Sequence, residues 1–140
     1  MTEFTSDIKT IPHNDLEIFR VLADLSKLDH LKDRIPEDKI RDLKYDSDSV
    51  SFRVDPVGEV RFNIIEREAN KLIKFKSENL PFETFLWIQL VQKAENDTKM
   101  KITLRADLNP LIKGMVSKPL KEGMGKIADL LAALPYDQID

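Results

Sequence analysis

The sequence predicts an α+β domain: a curved antiparallel sheet of about seven strands, two short helices after the first strand, and a long C-terminal helix across the concave face. Three observations predict it. Two capped helical patterns follow one alternating strand directly. Residues 38–106 then run as alternating segments separated by very short breaks, and residues 109–135, "NPLIKGMVSKPLKEGMGKIADLLAALP", form one long amphipathic helix. Strands so closely joined are antiparallel neighbours, because a parallel crossover needs about a dozen residues.

Taken in order, Phe4, Ser6 and Ile8 alternate with Thr5, Asp7 and Lys9, the pattern of a half-buried strand. In "IPHNDLEIFRVLADL", Asn14 caps, Glu17 completes a capping box, and Leu16, Phe19 and Leu22/Ala23 share one face. Ser26 with Asp29 caps "SKLDHLKDR", which buries Leu28 and Leu31. "DKIRDLKYD" is a ragged strand with Ile40, Leu43 and Tyr45, and its broken alternation predicts a bulge. In "VSFRVDP", Val50, Phe52 and Val54 alternate with Ser51, Arg53 and Asp55, and "DPVG" suits a type I turn. "EVRFNIIERE", "KLIKFKSE", "ETFLWIQLVQK" and "KMKITLRAD" complete the meander, broken at "AN" (69–70), "NLP" (79–81) and "ENDT" (95–98). No repeat, low-complexity tract or linker intervenes, so residues 1–140 read as one domain.

Charge and composition narrow the function classes. Lys and Arg number 22 against 25 acids, a net charge of −3, and no basic stripe with interleaved aromatics runs along the chain. Neither nucleic acid nor an anionic membrane surface is therefore an expected partner. Apolar runs such as "FLWI" at 85–88 fall far short of the roughly 20 residues that span a bilayer. "MTEFTSDIK" has no apolar signal-peptide core, and the expected location is the cytoplasm. The absence of cysteine excludes disulfides and thiol catalysis. With only His13 and His30 beside the carboxylates, no metal and no cofactor is expected. "GxSxG", "HExxH" and phosphate-loop patterns are missing too.

The closing helix holds a conflict. Asn109 caps it and Pro110 takes the first helical position. About 25 residues at 1.5 Å each span ~37 Å, longer than the ~33 Å of a ten-residue strand. Ile112, Val116, Leu120, Ile127, Leu130, Leu131 and Leu134 share one face, flanked by Met115 and Met124. Gly123 falls in the middle of that face, with Pro119 near the same line and Gly114 and Gly125 opposite. Interior glycine costs ~1 kcal/mol relative to alanine and interior proline ~3. One account is a kinked lid that leaves a pocket beneath it. The other is that Gly123 admits a bulky sheet residue such as Trp87, while Pro119 bends the helix round the sheet.

"ETFLWIQLV" is apolar on both faces, with Thr84, Leu86, Ile88 and Leu90 on one and Phe85, Trp87, Gln89 and Val91 on the other. If Trp87 faces inward, Gln89 is the polar anchor of an apolar pocket; otherwise it is hydrogen-bonded near a strand end. Glu83, at the rim, is a candidate general base if desolvation raises its pKa, weighed against an ordinary surface carboxylate. His13, in the strand–helix turn, is the other proton-transfer candidate, weighed against a turn role; His30 reads as a solvated surface residue. Tyr45 either anchors a ligand hydroxyl or packs at the bulge. "KDRIPEDKIRD" at 32–42 is either a solvated connection or a mobile lid.

The element order, from "FTSDIKTIPHNDLEIFRVLADL" through "WIQL" and "MKITLRADLN" to the last helix, resembles the helix-grip fold of the SRPBCC/START-like superfamily. That superfamily includes START lipid-transfer domains, the birch-pollen allergen family and polyketide cyclase/dehydrase-like proteins. The chain is most similar to its small bacterial members. The resemblance is topological, covers nearly the whole chain and rests on no short motif. It implies a deep, mostly apolar cavity between the concave face and the last helix for a lipid, sterol or polyketide-like molecule; the expected function is to bind such a molecule without catalysis. Its expected walls are Phe62, Phe75, Phe85, Trp87, Gln89, Met115, Val116, Leu120, Gly123 and Met124. Two alternatives stand beside this reading. One is a cyclase- or hydratase-type enzyme with Glu83 or His13 as proton shuttle. The other is an interaction protein, a homodimer or chaperone partner, using the outer sheet face.

Overall fold

The computed structural model of the protein describes residues 1–30, 41–54 and 58–139. Its elements are β1 (Thr2–Thr5), β2 (Lys9–Ile11), α1 (Asp15–Leu22), a 3-10 helix (Leu25–His30), β3 (Arg41–Tyr45), β4 (Ser49–Val54), β5 (Gly58–Glu68), β6 (Leu72–Ser77), β7 (Thr84–Ala94), β8 (Asp97–Ala106) and α2 (Pro110–Ala132). All strands join one antiparallel sheet ordered β1-β8-β7-β6-β5-β4-β3, with β2 also on β8. It is an α+β helix-grip arrangement, a meander closed by one long helix.

The sheet has eight strands because the first expected strand is two. Ser6 interrupts it: its N–H donates to the Ile102 carbonyl at 2.8 Å and its Oγ accepts from the Ile102 N–H at 2.9 Å. The pairing resumes with Lys9 opposite Met100 and ends with Ile11 opposite Thr98. Ile8, expected on the buried face, falls in the break and is 67% exposed.

Asn14 caps α1 as expected, its Oδ1 accepting from the Glu17 N–H at 2.9 Å while its Nδ2 reaches Glu17 Oε1 at 3.1 Å. The buried face differs from expectation. Ile18, Val21 and Leu22 point inward and continue to Leu25, whereas Leu16 is 61% exposed. The next helix is 3-10 in form, and its start is capped by Asp24, whose Oδ1 accepts from both the N–H and the Oγ of Ser26. Leu31, Ile40, most of the 32–42 charge run and the centre of "DPVG" lie outside the described residues. The expected bulge in β3 is present between Arg41 and Lys44, with Asp42 at φ 55°.

Register assembles the core in rows across the strands. Phe4, Leu104, Leu86, Phe75 and Ile64 form one row. Ile102, Ile88 and Ile73 form the next. Ile73 and Met100 are fully buried and Ile102 is 1% exposed, each burial worth about 1.5–3 kcal/mol.

Helix α2 leans on β1, β2 and β8. Its cap Asn109 accepts from the Ile112 N–H at 2.9 Å. The inward stripe is Val116, Met124, Ala128 and Leu131, one helical face at spacings of eight, four and three, extended past the helix by Leu134, Tyr136 and Ile139. Several ties fix this C-terminal half. Lys9 pairs with Asp129 at 2.6 Å, Arg20 Nη2 donates to the Tyr136 carbonyl at 2.9 Å, and the buried Tyr136 hydroxyl donates to the Leu131 carbonyl at 2.5 Å.

Candidate ligand-binding face

The concave face is covered unevenly. Under α1 and the C-terminal half of α2 it is sealed. Toward β4 and β5 the rows continue with Tyr45, Val50, Phe62 and Ser77 in one register line and Phe52 opposite Val60 in the next. The Phe52 and Phe62 rings stack 6.5 Å apart at 25°. Val50, Phe62, Phe82, Leu86, Leu108 and Leu120 touch the core but stay only partly buried. Because α2 rests on the β1/β2/β8 side, these apolar side chains pack against the core yet stay partly accessible, and they make up the candidate trough.

The N-terminal half of α2 is the more exposed half. Leu111 is 75% and Met115 61% exposed. Gly123 lies about 20° round the helix from the buried Val116, at 100° per residue, and a Cβ built there meets no heavy atom within 4 Å. The close-contact account of this glycine is therefore wrong: no bulky sheet residue presses against it, and Trp87 is on the opposite side of the sheet. Pro119 sits inside the helix and removes one hydrogen bond there.

The expected wall residues divide. Phe75, Val116 and Met124 are buried, Phe62 and Leu120 partly so, and Gly123 shares their side. Phe85, Trp87 and Gln89 do not: they stand on the convex face, opposite Arg105, Thr103 and Lys101 of β8. Their expected inward placement is corrected by the neighbouring strand. β8 alternates Met100, Ile102 and Leu104 with Lys101, Thr103 and Arg105, so only one parity of β7 matches its buried side. The outer rings are shielded by cations, with Lys74 Nζ 4.8 Å from the Phe85 centroid and 5.1 Å from that of Trp87, and Arg105 5.9 Å from Trp87. Met115 also points outward, since it precedes Val116 by one 100° step. Phe52, Phe82 and Leu86 were not among the expected walls; for Phe52 the available signal was the face it shares with Val50, alternating with Ser51 and Arg53.

The proton-transfer candidates are engaged elsewhere and are not brought together. Glu83 has a half-exposed side chain 3.7 Å from Lys76. His13 Nδ1 lies 3.2 Å from Glu17 Oε2, and its ring meets Tyr136 edge-on with centroids 5.7 Å apart. Tyr45, on the trough side of β3, donates its hydroxyl to Asp29, which holds its pKa above the usual tyrosine value. Among the described residues no group of three or more His, Cys, Asp or Glu is placed to hold a metal ion, and no helix is long and apolar enough to cross a membrane.

A sheet order that brings the first strand beside the last, two short helices near the start and a long closing helix together define the START-like helix-grip fold. Solved structures with this fold are similar over nearly the whole chain. Norcoclaurine synthase from Thalictrum flavum, in complex with dopamine and hydroxybenzaldehyde, superposes with a TM-score of 0.75 at 15% identity, covering 99% of this chain and 88% of its own. A START superfamily protein from Mycobacterium smegmatis gives 0.63 at 12%, covering 99% of each. A protein from Thermus thermophilus gives 0.61 at 18%, covering 93% of this chain and 91% of its own. At such identities the likeness establishes the fold alone. No family model matches the chain, and no curated protein does.

Proposed function

We propose that the protein binds a small hydrophobic, ring-bearing molecule in the trough between the concave sheet face and the N-terminal half of α2, without chemical conversion. The observation that carries this reading is the group of apolar side chains, Val50, Phe62, Phe82, Leu86, Leu108 and Leu120, that the core leaves only partly buried on the concave face. The stacked Phe52 and Phe62 rings favour a flat ligand, since offset aromatic stacking adds ~0.5–1.5 kcal/mol beyond area burial. Tyr45, hydrogen-bonded to Asp29 at the edge of the same face, supplies the polar group that an apolar pocket typically holds in small number. A fold shared with a norcoclaurine synthase solved with two small aromatics is consistent with that ligand class. Binding is favoured over catalysis because Glu83 and His13 are both committed to neighbouring charges.

Native mass spectrometry of freshly purified protein is the test. A co-purified small hydrophobic mass, absent from a Gly123→Phe variant that retains the native circular dichroism, is expected. A ligand-free wild type that also takes up no flat aromatic probe, such as anilinonaphthalene sulfonate, refutes the reading.

A further inference from the structure

The convex side of the sheet carries a second recess, independent of the trough. An open surface depression lies there, lined by Ile8, Leu72, Gln89, Val91, Lys99 and Lys101 among others. Ile8 is 67% and Val91 53% exposed, so large apolar side chains face this hollow instead of the core. Register sets Leu72, Gln89 and Lys101 side by side across β6, β7 and β8, about 4.8 Å apart per strand. A hydrocarbon surface, a carboxamide and an ammonium are thereby lined up.

The cations of this recess are not equivalent. Lys99 is held by Asp97 at 3.1 Å and Thr10 at 2.7 Å, and Lys71 lies 3.9 Å from Glu68. Lys101 makes no ion pair and Gln89 no side-chain hydrogen bond among the described residues. Of the acids in the lining, Glu68 is matched by Lys71, and Asp15 sits in the first turn of α1, where the helix dipole offsets its charge. One unneutralised ammonium with an unused amide beside it is a carboxylate receptor, and the apolar floor next to it accepts a tail. We infer that this recess binds an amphiphilic carboxylate, its headgroup on Lys101 and Gln89 and its hydrocarbon over Leu72, Val91 and Ile8.

Trp87, the only tryptophan of the chain, stands on the same face two residues before Gln89 and reports this side alone. The experiment titrates decanoate, decanol and decylamine below their aggregation limits. It follows Trp87 emission and the backbone amide resonances of Gln89, Val91 and Lys101. Saturable decanoate binding that moves these signals is expected, with decanol and decylamine at least tenfold weaker and Lys101→Glu weakening decanoate at least tenfold. The inference is overturned if decanoate moves instead the amides of Phe62 and Leu120, if Lys101→Glu leaves its affinity unchanged, or if no saturable response occurs. Gly123→Phe separates it from the trough: that variant leaves the decanoate response intact, and loss of the response there also overturns the assignment.

Discussion

Replacing Gly123 with alanine tests the uncrowded position on α2 that the proposed trough requires. The backbone at Gly123 is ordinary helix, since positive φ occurs only at Asp42, Gly58 and Asn70 among the described residues. A Cβ there meets nothing within 4 Å, so the substitution carries no steric cost. What remains is the propensity and unfolded-state entropy gain, roughly 0.5–1 kcal/mol in favour of alanine. With a urea m-value of about 1–3 kcal/mol/M for a domain of this size, the unfolding midpoint rises by a few tenths of a molar, read by circular dichroism. Gly125→Ala, equally free of neighbours, is the matched control and gains as much. A Gly123→Ala protein that loses stability while Gly125→Ala gains it refutes the open trough. A filled interface also makes the larger Gly123→Phe cost about 1–3 kcal/mol through overpacking, whereas an open one tolerates the ring.

Other outcomes follow from the core and its buried hydroxyl. Burial raises the Tyr136 pKa well above the ordinary 10.0. Below that value the group contributes nothing pH-dependent; as pH rises past 10.0 the unfolded chain ionises first, and stability falls by about 1.4 kcal/mol per pH unit. Tyr136→Phe lacks that part of the alkaline loss in urea titrations from pH 8 to 11, and costs about 1 kcal/mol at neutral pH by removing the bond to Leu131. Ile102→Ala, at 1% exposure in the central row, loses about 2–5 kcal/mol in urea unfolding. For the trough ligand, Phe62→Ala weakens capture measured by native mass spectrometry several-fold, whereas Trp87→Ala on the convex face leaves it unchanged.

Architecture was the most legible part of this sequence. The capping box at Asn14–Glu17, the short breaks of the meander and the Asn109–Pro110 start of α2 are local signals, and each produced its element. Side-chain parity in β7 was not legible. A strand apolar on both faces carries no internal record of which one is buried; β8 decides it through register, and pairing is a property of two strands. That single ambiguity placed Phe85, Trp87 and Gln89 on the wrong side. The Leu16 and Ile8 placements failed for related reasons, a helix face shifted by one residue and a strand broken at Ser6 by a side-chain hydrogen bond. Gly123 was readable as a conflict of propensity, but only the distances around it chose between close contact and open space.

One pairing has a bearing on how the chain comes into being. Glu3 meets Arg105 across a separation of 102 residues, so β1 waits for almost the last strand made before it has a partner. At about 5–20 residues per second of synthesis, the N-terminal segment emerges from the ribosome and stays unsatisfied for several seconds. Alternating and half-buried at the sheet's edge, β1 closes only after β8 has been made, so it is a late contributor to the finished domain.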